Sequence, residues 1–123
     1  MIKITTNGTV LEVVKTTPIN RKIIALLQYK QINNYYQIDR FCVHEDYRQK
    51  GYGKLLIEHL VNLAIENMDV QFIQVYPKSE DELSEALIEQ PLLYSIYQKY
   101  GFVSEDEDFD ANQYNHLLKY RIK

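Results

Sequence analysis

A single cysteine, Cys42, is present among the 123 residues, so no internal disulfide can form. No spaced set of cysteines and histidines offers zinc a tetrahedral site, and both absences fit a reducing compartment. Basic excess is missing too: 14 lysines and arginines against 17 acids leave a formal net charge of -3. That balance lacks the cationic surface that drives binding to a phosphate backbone, so nucleic acid is not an expected partner. No apolar run approaches the roughly 20 residues of a membrane span. The start Met1-Ile2-Lys3-Ile4 lacks a basic stretch followed by an apolar signal segment. The expectations are no membrane and a cytoplasmic location. Repeats, Gly/Ser-rich linkers and low-complexity tracts are also lacking. With no boundary marked, residues 1–123 read as one domain, and with 46% apolar and 25% charged residues the chain can fill a core.

What is present begins with strands and turns. Ile2 to Thr6 and Val10 to Lys15 flank Asn7-Gly8, a pair suited to the positive φ angles of tight hairpins. Lys22 to Gln31 and Tyr35 to Val43 are rich in branched and aromatic residues that favour extended structure, and Asn33-Asn34 turns between them. Four antiparallel strands in a meander account for this third of the chain.

From Lys54 to Asn67 the period changes. Leu56, Leu60, Leu63 and Ala64 recur at three- and four-residue spacing, with Glu58, Asn62 and Glu66 on other faces, which predicts an amphipathic helix. Val70 to Tyr76 alternates as a strand. Ser79-Glu80-Asp81-Glu82 has the spacing of a capping box that opens a short helix. Pro91 starts a further helix whose apolar face is Leu93, Ile96, Tyr97 and Tyr100, and Gly101 stops it. Phe102 to Ser104 and His116 to Ile122 read as closing strands. Strands, helix, strand, helix, strands describe an α+β fold, a mixed and largely antiparallel sheet covered by helices.

The segment that carries chemistry is Phe41-Cys42-Val43-His44-Glu45-Asp46-Tyr47-Arg48-Gln49-Lys50-Gly51-Tyr52-Gly53-Lys54. It runs from a strand through a loop with two glycines into the amphipathic helix. At a helix start about four N–H groups lack partners and the helix dipole is positive, so a phosphate there gains several hydrogen bonds together. Gly51 and Gly53 would let the backbone come close. Two glycines alone fit a plain strand-to-helix turn equally well.

The residues around them go further. Val-His-x-x-Tyr-Arg-x-x-Gly-x-Gly, from Val43 to Gly53, resembles the Arg/Gln-x-x-Gly-x-Gly/Ala signature of the GNAT acetyltransferase superfamily. The stretch Leu93 to Phe102, with Tyr97 and Gly101-Phe102, resembles that family's Ala-x-x-x-Tyr-x-x-x-Gly-Phe pattern. The likeness covers roughly Tyr35 to Ser104.

The resemblance implies acetyl-CoA as co-substrate, lying in a V-shaped gap between two parallel central strands. The main chain of Phe41, Cys42 and Val43 would pair with the pantetheine arm, and the amides of Arg48, Gln49, Lys50, Gly51, Tyr52, Gly53 and Lys54 would hold the pyrophosphate. Tyr97 takes the place of the tyrosine that protonates the departing thiolate, and Gln90 stands where an asparagine often contacts the cofactor arm. The acceptor is an amine, on a small molecule or a protein. No metal is implied, and a homodimer is left open. The rival reading is an acyl-CoA-binding module of this fold without transfer activity.

Some positions depart from the pattern. Gln37 occupies the place of a glutamate base, which leaves Asp39, His44 and Glu45 as the nearest titratable groups. Cys42 has no identifiable partner base and reads as a small buried apolar residue rather than a nucleophile. The family's two helices between its first strands are replaced by Asn7-Gly8-Thr9, so the acceptor side should be open. The stretch Lys78 to Glu89 could wall part of it, and the acidic run Glu105 to Asp110 reads either as a substrate lip or as plain solvation.

Overall fold

The computed structural model describes residues 1–78, 88–113 and 116–123. The chain opens with an antiparallel meander of β1 (Ile2–Asn7), β2 (Val10–Thr17), β3 (Asn20–Ile32) and β4 (Tyr35–Val43). A turn of 3₁₀ helix at Glu45–Tyr47 leads to helix α1 (Tyr52–Glu66), then β5 (Phe72–Val75), α2 (Gln90–Lys99), β6 (Val103–Ser104) and β7 (Leu118–Arg121). Among the described residues the strands form one sheet in the order β1-β2-β3-β4-β5-β7-β6. The β4–β5 pair is parallel and joined through α1; the other neighbours are antiparallel. The α+β reading of the sequence stands. The short helix expected at Ser79 to Glu82 lies outside the described residues.

Local chemistry explains the joints. The first hairpin closes on Asn7↔Val10, so its two loop residues are Gly8 and Thr9 rather than Asn7 and Gly8. Gly8 alone has positive φ, +60°, as a turn with glycine in its first central position requires. Asn33, at φ 50°, turns β3 into β4.

Helix α1 begins two residues earlier than its apolar period suggested, because Gly51 at φ 87° already serves as the cap. It buries Gly53, Leu56, Ile57, Leu60 and Ala64 against β2 to β5. Each such Leu or Ile contributes roughly 1.5–3 kcal/mol by leaving water. In α2 the buried residues are Gln90, Leu93, Tyr94 and Tyr97, while Ile96 is half-buried. Tyr94 displaces Ile96 from the expected face because its hydroxyl has partners in the loop before β7: it donates to the Gln113 carbonyl and accepts from the His116 N–H (3.4 Å).

One irregularity in the sheet positions the site. Tyr29 pairs with Ile38 and Gln28 with Arg40, so Asp39 is an extra residue in β4, a β-bulge. Side chains alternate along a strand, and an inserted residue shifts that alternation. Tyr36 and Ile38 face the helices before the bulge; Phe41 and Val43 take that face after it. The core cluster follows this side of the sheet and runs from Leu11 and Val13 through Ile38, Leu56, Leu60 and Ile73 to Tyr97 and Phe102.

Candidate active site

Pairing between the parallel strands β4 and β5 reaches Ile38↔Val75 and ends there. Beyond that pair the chains diverge around a cavity of about 160 Å³. Asp39, Arg40 and Phe41 line it from β4, Tyr76 and Lys78 from the segment after β5, and Tyr97 from α2. The V-shaped gap implied by the sequence is thus located at the bulge.

Tyr97 is 3% exposed. Its ring packs against Phe41 (centroids 5.6 Å apart) and Phe102 (5.5 Å), which fixes the side chain at the cavity wall. Burial, then the neighbouring Tyr100 and Cys42, push its phenol well above the ordinary tyrosine range. A phenol raised in this way is protonated at neutral pH.

Gln37 lines the same cavity. It accepts from Gln74 Nε2 (3.0 Å) and donates from Nε2 to Asp39 Oδ1 (3.4 Å). Asp39 also faces Lys30 at 3.7 Å. Of the three titratable candidates, the bulge brings Asp39 to the cavity. His44 and Glu45 lie past the strand end, where His44 Nδ1 accepts from the Asp46 N–H (3.2 Å). Cys42 is buried and is not among the cavity-lining residues.

The loop after β4 has the open helix start that its glycines suggested. The helix's first intrahelical donor is the Leu55 N–H, which bonds the Gly51 carbonyl at 3.0 Å, so the N–H groups of Tyr52, Gly53 and Lys54 precede it. No side chain caps this end and no acid stands in its first turn. Gln49 (φ 62°) and Gly51 (φ 87°) are left-handed. A backbone alternating in this way gathers N–H groups into a concavity suited to anions.

The two glycines have different surroundings. A Cβ on Gly51 would meet nothing within 4 Å, and its constraint is the left-handed φ. A Cβ on Gly53 would lie 2.9 Å from the Tyr100 hydroxyl and 3.0 Å from Phe41 Cζ, so this glycine lets α1 press onto β4. Arg48 is turned inward: its Nε donates to the Val43 carbonyl at 2.9 Å, which ties the loop to the strand end. That bond occupies one of the main-chain acceptors expected to face the pantetheine arm. Tyr52 is half-buried with its ring 6.3 Å from that of Tyr47, Lys54 is exposed and pairs with Glu58 (3.8 Å), and Lys50 lies over Tyr47 at 5.6 Å.

Gln90, the first residue of α2, is 7% exposed. Its Nε2 donates to the Pro77 carbonyl at 2.7 Å, while its Oε1 is buried without a hydrogen-bond partner among the described residues. A buried acceptor left open beside the divergent end of β5 suits an amide N–H of a bound arm.

Sequence reasoning missed Arg40, Tyr76 and Lys78 at the cavity, because neither the bulge nor the end of β4–β5 pairing has a local signature. Across the rest of the expected acceptor side, β1 and β2 form a direct hairpin. Residues 79–87 of the expected wall lie outside the described residues. Within the acidic run Glu105 pairs with Lys119 (3.7 Å) and Arg121 (3.5 Å), and Asp106 with His116 (2.9 Å).

Comparison with known proteins agrees with this geometry. The family model described as an acetyltransferase (GNAT) domain matches residues 13–104. No curated protein sequence matches the chain. Among solved structures, the anti-CRISPR protein AcrVA5 is similar at 22% identity and TM-score 0.60, over 78% of this chain and 88% of that one. The ribosomal-protein-S18-alanine N-acetyltransferase of Escherichia coli is similar at 13% identity and TM-score 0.63, over 95% and 72%. A PaiA N-acetyltransferase of Thermoplasma acidophilum, in complex with coenzyme A, is similar at 19% identity and TM-score 0.63, over 91% of this chain and 59% of that one. Divergent parallel strands, the Val43 to Gly53 signature leading into an uncapped helix, and a family model spanning most of the sequence lead to one assignment: the chain belongs to the GNAT acetyltransferase family.

Proposed function

We propose that the protein transfers an acetyl group from acetyl-CoA to a primary amine by direct attack within a ternary complex. The observation that carries this reading is the cavity at the β4–β5 divergence, with Tyr97 on its wall and the uncapped start of α1 beyond the strand end. The residues present fit the donor: the start of α1, which no side chain caps, for the pyrophosphate, and the open Oε1 of Gln90 for an amide of the arm. When bound, acetyl-CoA supplies a thioester whose acetyl group is ready for aminolysis.

The rest falls to the chain's own side chains. Asp39 presents a carboxylate to an incoming ammonium and, directly or through water, takes its proton, since only the neutral amine attacks. Gln37 holds that carboxylate in place (3.4 Å). Tyr97 donates its hydroxyl proton toward the leaving sulfur, with its proton retained by burial until needed. Holding the two reactants in one narrow gap lowers the entropic part of the barrier.

The test is thermal unfolding with and without acetyl-CoA, followed by an amine screen for free-thiol release. A ligand bound only to the native state stabilises it by about 2.7 kcal/mol at a hundredfold excess over its Kd. An upward shift in Tm with amine-dependent thiol release supports transfer. A shift with no turnover for any amine supports a binding module, the reading that Gln37 in place of a glutamate favours. No shift at millimolar ligand removes both.

A further inference from the structure

Three lysines from three different parts of the chain meet at one aromatic ring. Lys15 comes from the end of β2, Lys22 from the start of β3 and Lys50 from the loop before α1. Their Nζ atoms lie 5.9, 5.4 and 5.6 Å from the centroid of Tyr47. One ring attracts a cation at an exposed site by about 0.5–1 kcal/mol, and three like charges gathered on it repel one another. The chain carries more acids than bases, yet among the described residues none of the three lysines is in an ion pair. The nearby Asp46 faces His44 (3.7 Å) and Glu12 faces Arg21 (3.6 Å). The cluster joins the glycine loop directly: Lys50 precedes Gly51, and the Tyr52 ring, first in α1, lies 6.3 Å from Tyr47.

We infer that Lys15, Lys22 and Lys50 form an anion subsite for a phosphate monoester, and that its occupant is the 3′-phosphate of the acyl-CoA donor. The inference rests on the donor reading above. Coenzyme A carries two anionic groups on one ribose, a pyrophosphate at the 5′ position and a monoester at the 3′ position. A cationic cluster beside a loop that takes the first is placed to take the second. Lysines bind such a dianion as point charges from several directions, and with these exposed ammonium groups the contribution falls with salt.

The experiment is calorimetric titration at low salt with acetyl-CoA, 3′-dephospho-acetyl-CoA and adenosine 3′,5′-bisphosphate. It is run on the wild type, on Lys15→Gln/Lys22→Gln and on Lys15→Arg/Lys22→Arg, with equal melting temperatures as the folding control. Wild type is expected to prefer acetyl-CoA over its dephospho form roughly tenfold, as for a screened charge-assisted contact. The glutamine variant should bring that ratio near one, and the arginine variant should restore it. A wild-type ratio near one, or a ratio unchanged by glutamine, overturns the subsite. If neither thioester binds but the bisphosphate does so through the lysines, the donor reading fails and the anion subsite stands. No binding of any probe overturns the subsite too.

Discussion

At the scale of single residues, Tyr97, Gly53 and Gly51 separate chemistry from packing. Tyr97→Phe removes only the hydroxyl, so turnover should fall by roughly 10²–10⁴-fold, the usual worth of a general acid, while the Kd for acetyl-CoA stays nearly unchanged. An unaltered turnover would take Tyr97 out of its role. Because burial raises its phenol, the wild type and this variant should share one pH–rate shape between pH 6 and about 10, with the proton retained throughout. A basic limb present in wild type and lost in the variant would contradict that. Gly53→Val places atoms against Tyr100 and Phe41, where a Cβ alone already lies at 2.9 and 3.0 Å. An overpacking cost of about 1–3 kcal/mol and a lower Tm are expected. Gly51→Ala meets open space, so its penalty of about 1–2 kcal/mol comes from the left-handed φ alone.

At the scale of elements, the segment between β6 and β7 is held by a polar arrangement built on α2. His116 is 5% exposed; its Nε2 accepts from the Asp110 N–H (2.9 Å) and its Nδ1 faces Asp106 Oδ2 (2.9 Å). The Asp108 backbone N–H first, and His116 after it, hold the Asp106 carboxyl below its ordinary range. A depressed folded pKa adds stability that is fully present above the ordinary aspartate value near 4 and is lost as pH falls through the lowered value. The Tm difference between wild type and Asp106→Asn should therefore be constant above about pH 5 and shrink on acidification below that. Thermal melts across pH 2–7 check it; a difference that grows in acid would reverse the assignment. Tyr94→Phe leaves the His116 N–H and the Gln113 carbonyl without this hydroxyl, a loss of about 1–3 kcal/mol readable in urea unfolding.

At the scale of the whole molecule, one face of the sheet carries α1 and α2, and the first two strands meet in a direct hairpin. The bulge at Asp39 and the early end of β4–β5 pairing place a carboxylate and a phenol around one gap. Asp39→Asn tests that convergence. It should raise the KM for the amine and lower kcat at neutral pH, with acetyl-CoA affinity kept, and both effects should weaken as pH rises and free amine becomes available. Equal loss at all pH values would assign Asp39 a purely structural part.

Much of this was determined by the sequence alone. Strands β1 to β4 follow from alternation and turn residues, α1 from its three- and four-residue spacing, and the loop from Arg48 to Gly53, because these depend on neighbours close in the chain. The family resemblance of Val43 to Gly53 and Leu93 to Phe102 is of the same local kind. Tertiary structure decided the rest: that Asp39 is the extra residue of a bulge, that Gly53 serves packing, that Tyr94 replaces Ile96 in the core, and that Lys15 and Lys22 meet Lys50. Each of these depends on register between strands or on contact between distant elements. Pairing register and packing are set by the whole sheet and its helices together, and no short window of residues encodes them.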